Sequence, residues 1–178
     1  MAYTQLDPEH EGGRTYNIDW AVGNGAPCNR VDTMLVQALF HIFFYEQDGR
    51  FTRDWADPES GYYFTRPAGH DSIDIDGFIG PATRAHIAAF QQGLKELSLL
   101  DTIDYRLDPM RQSVNTMTTR TQVHYSIAWL NATCKNTAYQ ARNPQYDGLT
   151  EREDMPMQLR SALKTVKGLA NQYRFRIR

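Results

Sequence analysis

Apolar residues recur at helical spacing in two stretches of the first half of the chain. Over about 30–46 they form a buried stripe, with Asn29 placed to cap the helix start and Asp48-Gly49 placed to end it. A second helix begins at Gly80-Pro81, because proline is favoured at the first helical position, where its missing N–H would be unpaired anyway. We predict that this helix runs to about residue 97.

Two further helices are predicted in the second half of the chain. The third runs over about 113–134. Residues 135–153 are polar, contain Asn143-Pro144, and are predicted to be a loop. The last helix opens at Asp154 and Pro156. Its apolar positions are Leu159, Leu163, Val166 and Leu169.

Aromatic residues flank a turn between the first two helices. The turn signal is Asp57-Pro-Glu-Ser-Gly61, and its neighbours predict a hairpin or a structured loop within residues 50–66. Trp55, Tyr62 and Tyr63 are candidate ligand-binding residues, because exposed rings suit stacking on sugars or a protein contact. The alternative is that these rings complete the core of a small domain.

Composition and charge limit the classes of partner. The chain has 178 residues, of which 41% are hydrophobic and 22% charged, as in an ordinary globular protein, and no apolar run reaches the length of a membrane span. The net charge of −2 excludes a generic polyanion binder, so we expect no nucleic-acid partner. Residues 1–111 nevertheless carry a net charge of −8 and residues 112–178 one of +6. Either the two parts attract each other, or each meets its own partner.

The C-terminal sequence QYRFRIR alternates basic with apolar residues. Arg174 and Arg176 stand between aromatic and aliphatic neighbours, a period-2 pattern that fits an edge strand. The basic C-terminal region is therefore a candidate contact for other protein subunits.

Cysteine usage and the chain start give weaker indications. Cys28 and Cys134 are too few for a disulfide framework and lack a metal-binding spacing. Buried free thiols and a single bridge both remain open. The start, MAYTQLDPEHEGGR, has neither the basic nor the apolar segment of a secretory signal, so we expect cytoplasmic synthesis without a signal peptide.

The stretch IDIDGFIGPATRAHIAAFQQ, residues 73–92, places Asp74 and Asp76 just before a glycine. In a helix–loop–helix calcium loop this glycine would be position 6, which puts Ser72 at position 1 and Thr83 at position 12. Neither residue supplies the carboxylate that such a loop needs there. We therefore predict no calcium site.

Other metal and catalytic sites are also unsupported by the sequence. His70, Asp71, Asp74 and His86 could be drawn as a site, but no histidine pair has the spacing of a helical zinc motif. Nothing identifies a second carboxylate across a cleft, as a glycosidase requires, and hydrolase and phosphate-loop motifs do not occur. We predict a non-enzyme with no catalytic residues, no metal and no cofactor.

The residues Asp76-Gly77-Phe78-Ile79-Gly80-Pro81-Ala82-Thr83, followed by Ala89-Phe90-Gln91, resemble the signature of the small helical peptidoglycan-binding domains. The pattern of that family is close to D-G-x-[FY]-G-x-x-T, so Phe78 and Ile79 exchange the usual aliphatic and aromatic order. Upstream, Val36-Gln37-Ala38-Leu39 is similar to the first helix of the family. Both halves occur in the family's order, and the resemblance covers about residues 21–111.

The resemblance implies that most of the motif is structural. Gly77 and Gly80 suit positions that need a positive φ or a close backbone approach. Asp76 is placed to accept amide hydrogens within the turn. The residues that follow seat the second helix against the first. The structural motif residues are Asp76, Gly77, Gly80, Thr83, Phe90 and Gln91.

Membership of this family would imply a shallow groove that holds peptidoglycan or a muropeptide. Arg66 and Arg84 are candidate ligand contacts, because a guanidinium can pair with a peptide-stem carboxylate. The alternative is that each is a solvated surface charge. Residues 47–72 form an insertion where the family has a short connection, and this insertion could cover the groove, remake it or form a separate contact surface.

The predicted fold is therefore mainly α. Residues 1–20 are an N-terminal arm, and residues 21–111 are a compact three-helix peptidoglycan-binding-like domain with an aromatic hairpin insertion at 47–72. Residues 112–178 are a helical extension that packs on this domain.

Two functional hypotheses follow from the resemblance. The first is a non-catalytic peptidoglycan-binding protein, accessory to a cell-wall hydrolase or delivered by a phage-like or contractile injection system. Its site of action would be the cell wall or periplasm, or a secreted or phage-like particle. The second hypothesis is a structural or adaptor subunit that uses a peptidoglycan-binding-like fold for protein contacts in such an assembly.

Overall fold

The computed structural model of the protein describes residues 1–6, 14–51, 61–110, 125–135 and 143–167. Within these ranges the chain forms five α-helices, a π-helical segment and seven short strands. The helices are α1 (Arg30–His41), α2 (Pro81–Glu96), α3 (Ser126–Lys135), α4 (Pro144–Asp147) and α5 (Met157–Leu163), and the π-helical segment is Ile42–Glu46. The strands are β1 (Tyr3–Leu6), β2 (Arg14–Asn17), β3 (Val22–Gly23), β4 (Arg50–Phe51), β5 (Tyr62–Tyr63), β6 (Arg106–Leu107) and β7 (Val166–Lys167).

The first predicted helix is confirmed as α1 together with the π-helical segment. Asn29 caps it, since its side-chain oxygen accepts a hydrogen bond from the Val31 amide at 3.1 Å. At the other end, the Gln47 amide donates to the Ile42 carbonyl at 3.0 Å, which closes a five-residue turn. The wider turn keeps Phe43 and Phe44 fully buried at the end of the helix.

The second predicted helix is confirmed as α2. It begins with Pro81 after an extended Gly80, as the preference of proline for the first position predicts. Phe90 packs its ring against two aromatic residues of the first helix, at 5.8 Å from Phe40 and 5.7 Å from Phe43 between ring centroids. The two helices that carry the motif therefore share one aromatic core.

The predicted helical extension is corrected in two places. Residues 135–153 are not all loop, because α4 begins at Pro144 after an Asn143 cap. The last helix ends at Leu163, and Val166 lies in β7. The reason is tertiary: the Thr4 hydroxyl donates to the Leu163 carbonyl at 2.5 Å, and the Thr4 amide donates to the Thr165 carbonyl at 3.0 Å. Residues 111–124, which hold the start of the predicted third helix, and residues 168–178, which hold the predicted edge strand, lie outside the described residues.

The strands form three small sheets. The largest has the order β2-β1-β7, with β1 antiparallel to β2 and parallel to β7. A second pairs β3 with β6, which fixes the chain before α1 to the chain after α2. The third pairs β4 with β5 and confirms the predicted hairpin, with Arg50 opposite Tyr63.

The prediction of a mainly α, three-helix fold is wrong, because the structure is mixed α and β with several small sheets. The strands of the largest sheet come from residues 3–6, 14–17 and 166–167. Their pairing depends on backbone hydrogen bonds between segments far apart in sequence, which no local hydrophobic period reports. A further finding is that no helix in the described ranges has the length and apolarity needed to cross a membrane.

One hydrophobic core draws on all three predicted segments, from Ala2 and Tyr16 through Leu35 to Leu159. A buried polar network joins their ends. Asn131 accepts hydrogen bonds from the Tyr16 amide at 2.9 Å and from the Tyr146 hydroxyl at 2.5 Å. Since buried polar groups must be paired, this network fixes the N-terminal strands against the C-terminal helices. The predicted domain boundaries stay a prediction.

Candidate functional site

The loop that contains the acidic motif is held by one side chain of α1. Gln37, which is buried, donates from Nε2 to Asp76 Oδ1 at 2.9 Å, to the Phe78 carbonyl at 3.0 Å and to Thr83 Oγ1 at 3.1 Å. Its Oε1 accepts from the Gly77 amide at 2.8 Å. A single amide thus joins the first helix, the loop and the second helix, and we call this set of contacts the Gln37 junction.

Gly77 meets both expectations for a motif glycine. Its φ is +78°, and an added Cβ would lie 2.6 Å from the Arg30 carbonyl oxygen and 2.5 Å from Arg30 Cγ. Gly80 meets neither expectation, because its backbone is extended and an added Cβ would have no atom within 4 Å. The second glycine of the motif is therefore not required by conformation or space in this chain.

Asp76 builds the turn, as the sequence predicts. Its Oδ1 accepts from the Phe78 amide at 2.8 Å as well as from Gln37. Partial burial alone would raise the pKa of Asp76, but these hydrogen bonds outweigh it and hold the pKa below its ordinary value. The carboxylate is therefore ionised at neutral pH and already bound within the loop.

Phe78 is the large apolar side chain that this loop exposes. Its backbone N–H and carbonyl are both bound inside the loop, yet 63% of the residue is exposed. Arg30 lies over one face of the ring, with Cζ 4.9 Å from the ring centroid, and its Nε donates to the Asp76 carbonyl at 3.2 Å. Sequence reasoning did not select Phe78 or Arg30. The signal for Phe78 was the exchanged order of Phe78 and Ile79 in the motif.

The remaining motif residues are structural. The Thr83 hydroxyl donates to the Phe78 carbonyl at 3.3 Å and accepts from Gln37. Gln91 repeats the arrangement of Gln37 at a second loop, since its amide donates to Asp104 and the Arg106 carbonyl and accepts from the Tyr105 amide at 2.7 Å. Both glutamines thus fix loops onto helices.

The predicted ligand cations lie in different environments. Arg66 is engaged by the protein: its Nη2 donates to the Phe44 carbonyl at 2.8 Å and to Asp48 at 2.9 Å, and its guanidinium lies 4.7 Å from the Tyr45 ring centroid. Arg84 is exposed on the first turn of α2. The structure therefore supports a structural role for Arg66 and leaves Arg84 accessible.

The predicted aromatic residues are only partly described. Tyr62 and Tyr63 lie exposed on β5, and Arg50 lies over Tyr63 with Cζ 5.4 Å from the ring centroid. Trp55 lies outside the described residues. Among the contacts between described residues, no hydrogen bond, ion pair or cation–π pair joins these tyrosines to either predicted cation. Tyr62 and Tyr63 are thus neighbours, while Arg66 and Arg84 do not complete a site with them.

His86 is a buried residue of α2 that packs against the Phe40 ring of α1. His86 Nδ1 donates to the Ala82 carbonyl at 2.7 Å, so in the neutral ring Nε2 accepts from the Tyr45 hydroxyl at 2.8 Å. The same hydroxyl lies 2.9 Å from the His70 carbonyl oxygen. Burial lowers the pKa of His86, the hydrogen bond to Ala82 opposes this shift, and the charges of His70 and Arg66 reinforce it. His86 is thus kept neutral as part of the packing between α1 and α2.

In the described ranges, neither the thiols nor the potential metal ligands form a candidate site. Both cysteines are free, and Cys134 is buried with its thiol donating to the Leu39 carbonyl at 3.2 Å. Burial raises the pKa of the Cys134 thiol, so the thiolate that reacts or binds metal is disfavoured. In the ranges that the structure describes, no three histidine, cysteine or acidic side chains cluster as a metal site.

Comparison of the chain with protein-family models, curated proteins and solved structures finds no match. The resemblance of residues 21–111 to the peptidoglycan-binding domains therefore depends on the motif residues themselves. The Gln37 junction, and the contact of Arg30 with the motif residue Phe78, are the features from which a function can be argued.

Proposed function

We propose that the protein binds bacterial peptidoglycan, or a muropeptide fragment of it, without cleaving it. The observation that carries this proposal is the Gln37 junction, in which the residues that resemble the family motif bind one another and hold Phe78 outward. Because the polar groups of this unit are paired with one another, the loop is held in one conformation with Phe78 exposed.

The exposed ring suits a carbohydrate ligand. One face of a sugar ring carries C–H groups, and such faces stack on aromatic side chains that remain rigid. The main chain of Phe78 is held in place, because its backbone groups are bound to Asp76, Gln37 and Thr83, and Arg30 lies over one face of the ring. Little ordering free energy is then lost when the ligand binds.

Binding without cleavage agrees with the state of the Asp76 carboxylate. A general acid needs a pKa raised toward the working pH. Asp76 has a lowered pKa, and its Oδ1 is bound inside the turn. The proposed role is therefore that of an accessory protein beside a cell-wall hydrolase. The proposed site of action is the cell wall or periplasm, or a secreted or phage-like particle.

A second candidate function is that of a structural or adaptor subunit. The observation that favours it is the position of β7 at the edge of the β2-β1-β7 sheet, with Val166 55% exposed. Edge strands can pair with a strand of another chain. The basic C-terminal region, which follows β7 in the sequence, would then contact other protein subunits.

Retention on purified sacculi tests the first proposal. The wild-type protein is mixed with sacculi at low and at moderate salt, with an insoluble polysaccharide such as cellulose as the control matrix. Saturable retention on sacculi that survives moderate salt, with none on cellulose, is the expected result. No retention on sacculi at any salt would remove the peptidoglycan proposal and favour the adaptor. Chromatography of the released material tests the absence of cleavage, because new muropeptides would show an enzyme.

A further inference from the structure

The Arg30 side chain is fixed in place before any ligand arrives. Its Nε donates to the Asp76 carbonyl at 3.2 Å, and its guanidinium lies over the Phe78 ring. Its Cγ lies in the space that a side chain at Gly77 would occupy. Three contacts along one exposed side chain reduce the rotamer freedom that a surface arginine ordinarily keeps.

The terminal nitrogens of Arg30 are available. Within the described part of the chain, the guanidinium makes one hydrogen bond, from Nε, so Nη1 and Nη2 keep their four N–H donors for solvent or a ligand. A planar guanidinium with free terminal donors matches a carboxylate in a bidentate arrangement. The geometry therefore favours a carboxylate over a neutral hydroxyl.

The charges around Arg30 set the strength of this preference. Asp76 is an anion next to it, and its carboxylate weakens the attraction for a second anion. Asp32 on the same helix is buried, and it accepts hydrogen bonds from the amides of Asp19 and Trp20. Because the Asp76 carboxylate already lies next to Arg30, charge alone would bind a second carboxylate weakly. The ring of Phe78 must supply the remaining contact.

We infer that Arg30 and Phe78 together form a receptor for a carboxylate that stands next to an apolar or sugar group. This inference depends on the proposed function and names the part of the ligand that the site recognises. In peptidoglycan the group with this chemistry is a free carboxylate of the peptide stem, beside a methyl group or the sugar that carries the stem. Arg30 pairs with the carboxylate, and Phe78 packs against the neighbouring apolar surface.

Arg30 suits this role better than the two arginines that the sequence singles out. Arg66 already uses its Nη2 to bind Phe44 and Asp48. Arg84 is exposed, and no described side chain holds its guanidinium, so binding would have to order it. Arg84 is for that reason the matched control.

The test compares two muropeptides that differ only in whether the stem carboxylates are free or amidated. Binding of each is measured by calorimetry to the wild type, Arg30→Gln, Arg30→Lys and Arg84→Gln. We expect the wild type to bind the free acid about tenfold more tightly than the amide, as one charge-assisted pair would give. Arg30→Gln should lose that preference, Arg30→Lys should lose most of it, and Arg84→Gln should keep it.

The outcomes separate this inference from the proposed function. If the wild type binds both muropeptides equally, or if Arg30→Gln keeps the preference for the acid, the carboxylate receptor is wrong while peptidoglycan binding stands. If the wild type binds neither muropeptide nor sacculi, the proposed function itself fails. Equal affinity of the wild type for the acid and the amide would overturn the inference even if an Arg30 variant folds poorly, and Arg30→Lys, which keeps the charge and most of the aliphatic stem, supplies a second variant.

Discussion

Gln37 of the first helix donates from Nε2 to Asp76 Oδ1 of the acidic loop at 2.9 Å, across 39 positions of sequence. The same amide binds the carbonyl of Phe78 and the hydroxyl of Thr83. This contact, together with the hydrogen bond from the Phe78 amide, holds the loop carboxylate inside the turn. It also explains how a loop of few residues can carry an exposed aromatic side chain on a fixed backbone.

Replacing Gln37 by alanine should destabilise the protein by about 2–4 kcal/mol, because buried donors and acceptors lose their partners. The Gly77 amide and the Thr83 hydroxyl would be among them. Chemical denaturation checks this value. Gln92→Ala is the matched control, since Gln92 lies on the exposed face of α2 and, within the described residues, its amide donates to Glu96 alone. That change should cost less than about 0.5 kcal/mol, and equal losses for the two variants would contradict the Gln37 junction.

Replacing Gly77 by alanine should cost more than the same change at Gly69. Both glycines have positive φ, at +78° and +75°, so the backbone penalty of about 1–2 kcal/mol is shared. Only at Gly77 would the new Cβ meet the Arg30 carbonyl, at 2.6 Å, whereas at Gly69 it would meet no atom within 4 Å. Thermal unfolding of both variants measures the difference. Similar melting temperatures would show that α1 and the loop are not in close contact.

Stability should decline as the pH falls below the ordinary histidine pKa of about 6.5, because of His86. The folded state lowers the pKa of His86, so below pH 6.5 the unfolded state binds more protons and is favoured. The decline in stability stops once the pH is below the pKa of His86 in the folded state. Urea unfolding between pH 8 and pH 5 measures it. The His86→Gln variant should lose less stability over this pH range than the wild type. If its stability changed with pH as steeply as that of the wild type, groups other than His86 would cause the decline.

Replacing Arg152 by lysine should destabilise the C-terminal part by about 1–3 kcal/mol, because the guanidinium makes charge-assisted pairs with two carboxylates. It binds Glu46 through Nη1 at 3.0 Å and Nη2 at 2.5 Å, and Asp154 through Nε at 3.0 Å and Nη2 at 2.5 Å. Lysine offers one compact charge and cannot match both. Denaturation at low and high salt measures the effect. Arg84→Lys, at an exposed position, should leave stability unchanged within about 0.5 kcal/mol.

The sequence predicts the local elements that follow from caps, periods and turn residues. Asn29 and Pro81 mark the starts of α1 and α2, and the aromatic residues around the turn indicate the β4–β5 hairpin. The motif likewise predicts that Asp76 builds the turn and that Gly77 needs its backbone freedom. Each of these features depends on residues that lie within a few positions of one another in the sequence.

The features that the sequence does not predict depend on distant partners. Val166 continues a helical period, yet it pairs with Thr4 in a sheet, because the backbone of β1 offers hydrogen bonds there. Arg66 is a residue of the type that binds an anionic ligand, but its guanidinium already binds the Phe44 carbonyl and Asp48. The stacking of Arg30 on Phe78 joins residues 48 positions apart, and only the folded chain brings them together.

Affinity of the Phe78→Ala variant for purified sacculi tests the central claim most directly, namely that the acidic loop holds this ring for ligand binding. Since 63% of Phe78 is exposed and its backbone makes the structural hydrogen bonds, the variant should keep the wild-type melting temperature. Its apparent affinity should fall about tenfold, as for a contact worth more than 1 kcal/mol. Trp20→Ala, which removes another exposed ring outside the motif, should bind as the wild type does. If the Phe78→Ala variant bound sacculi with the affinity of the wild type, the claim would be contradicted.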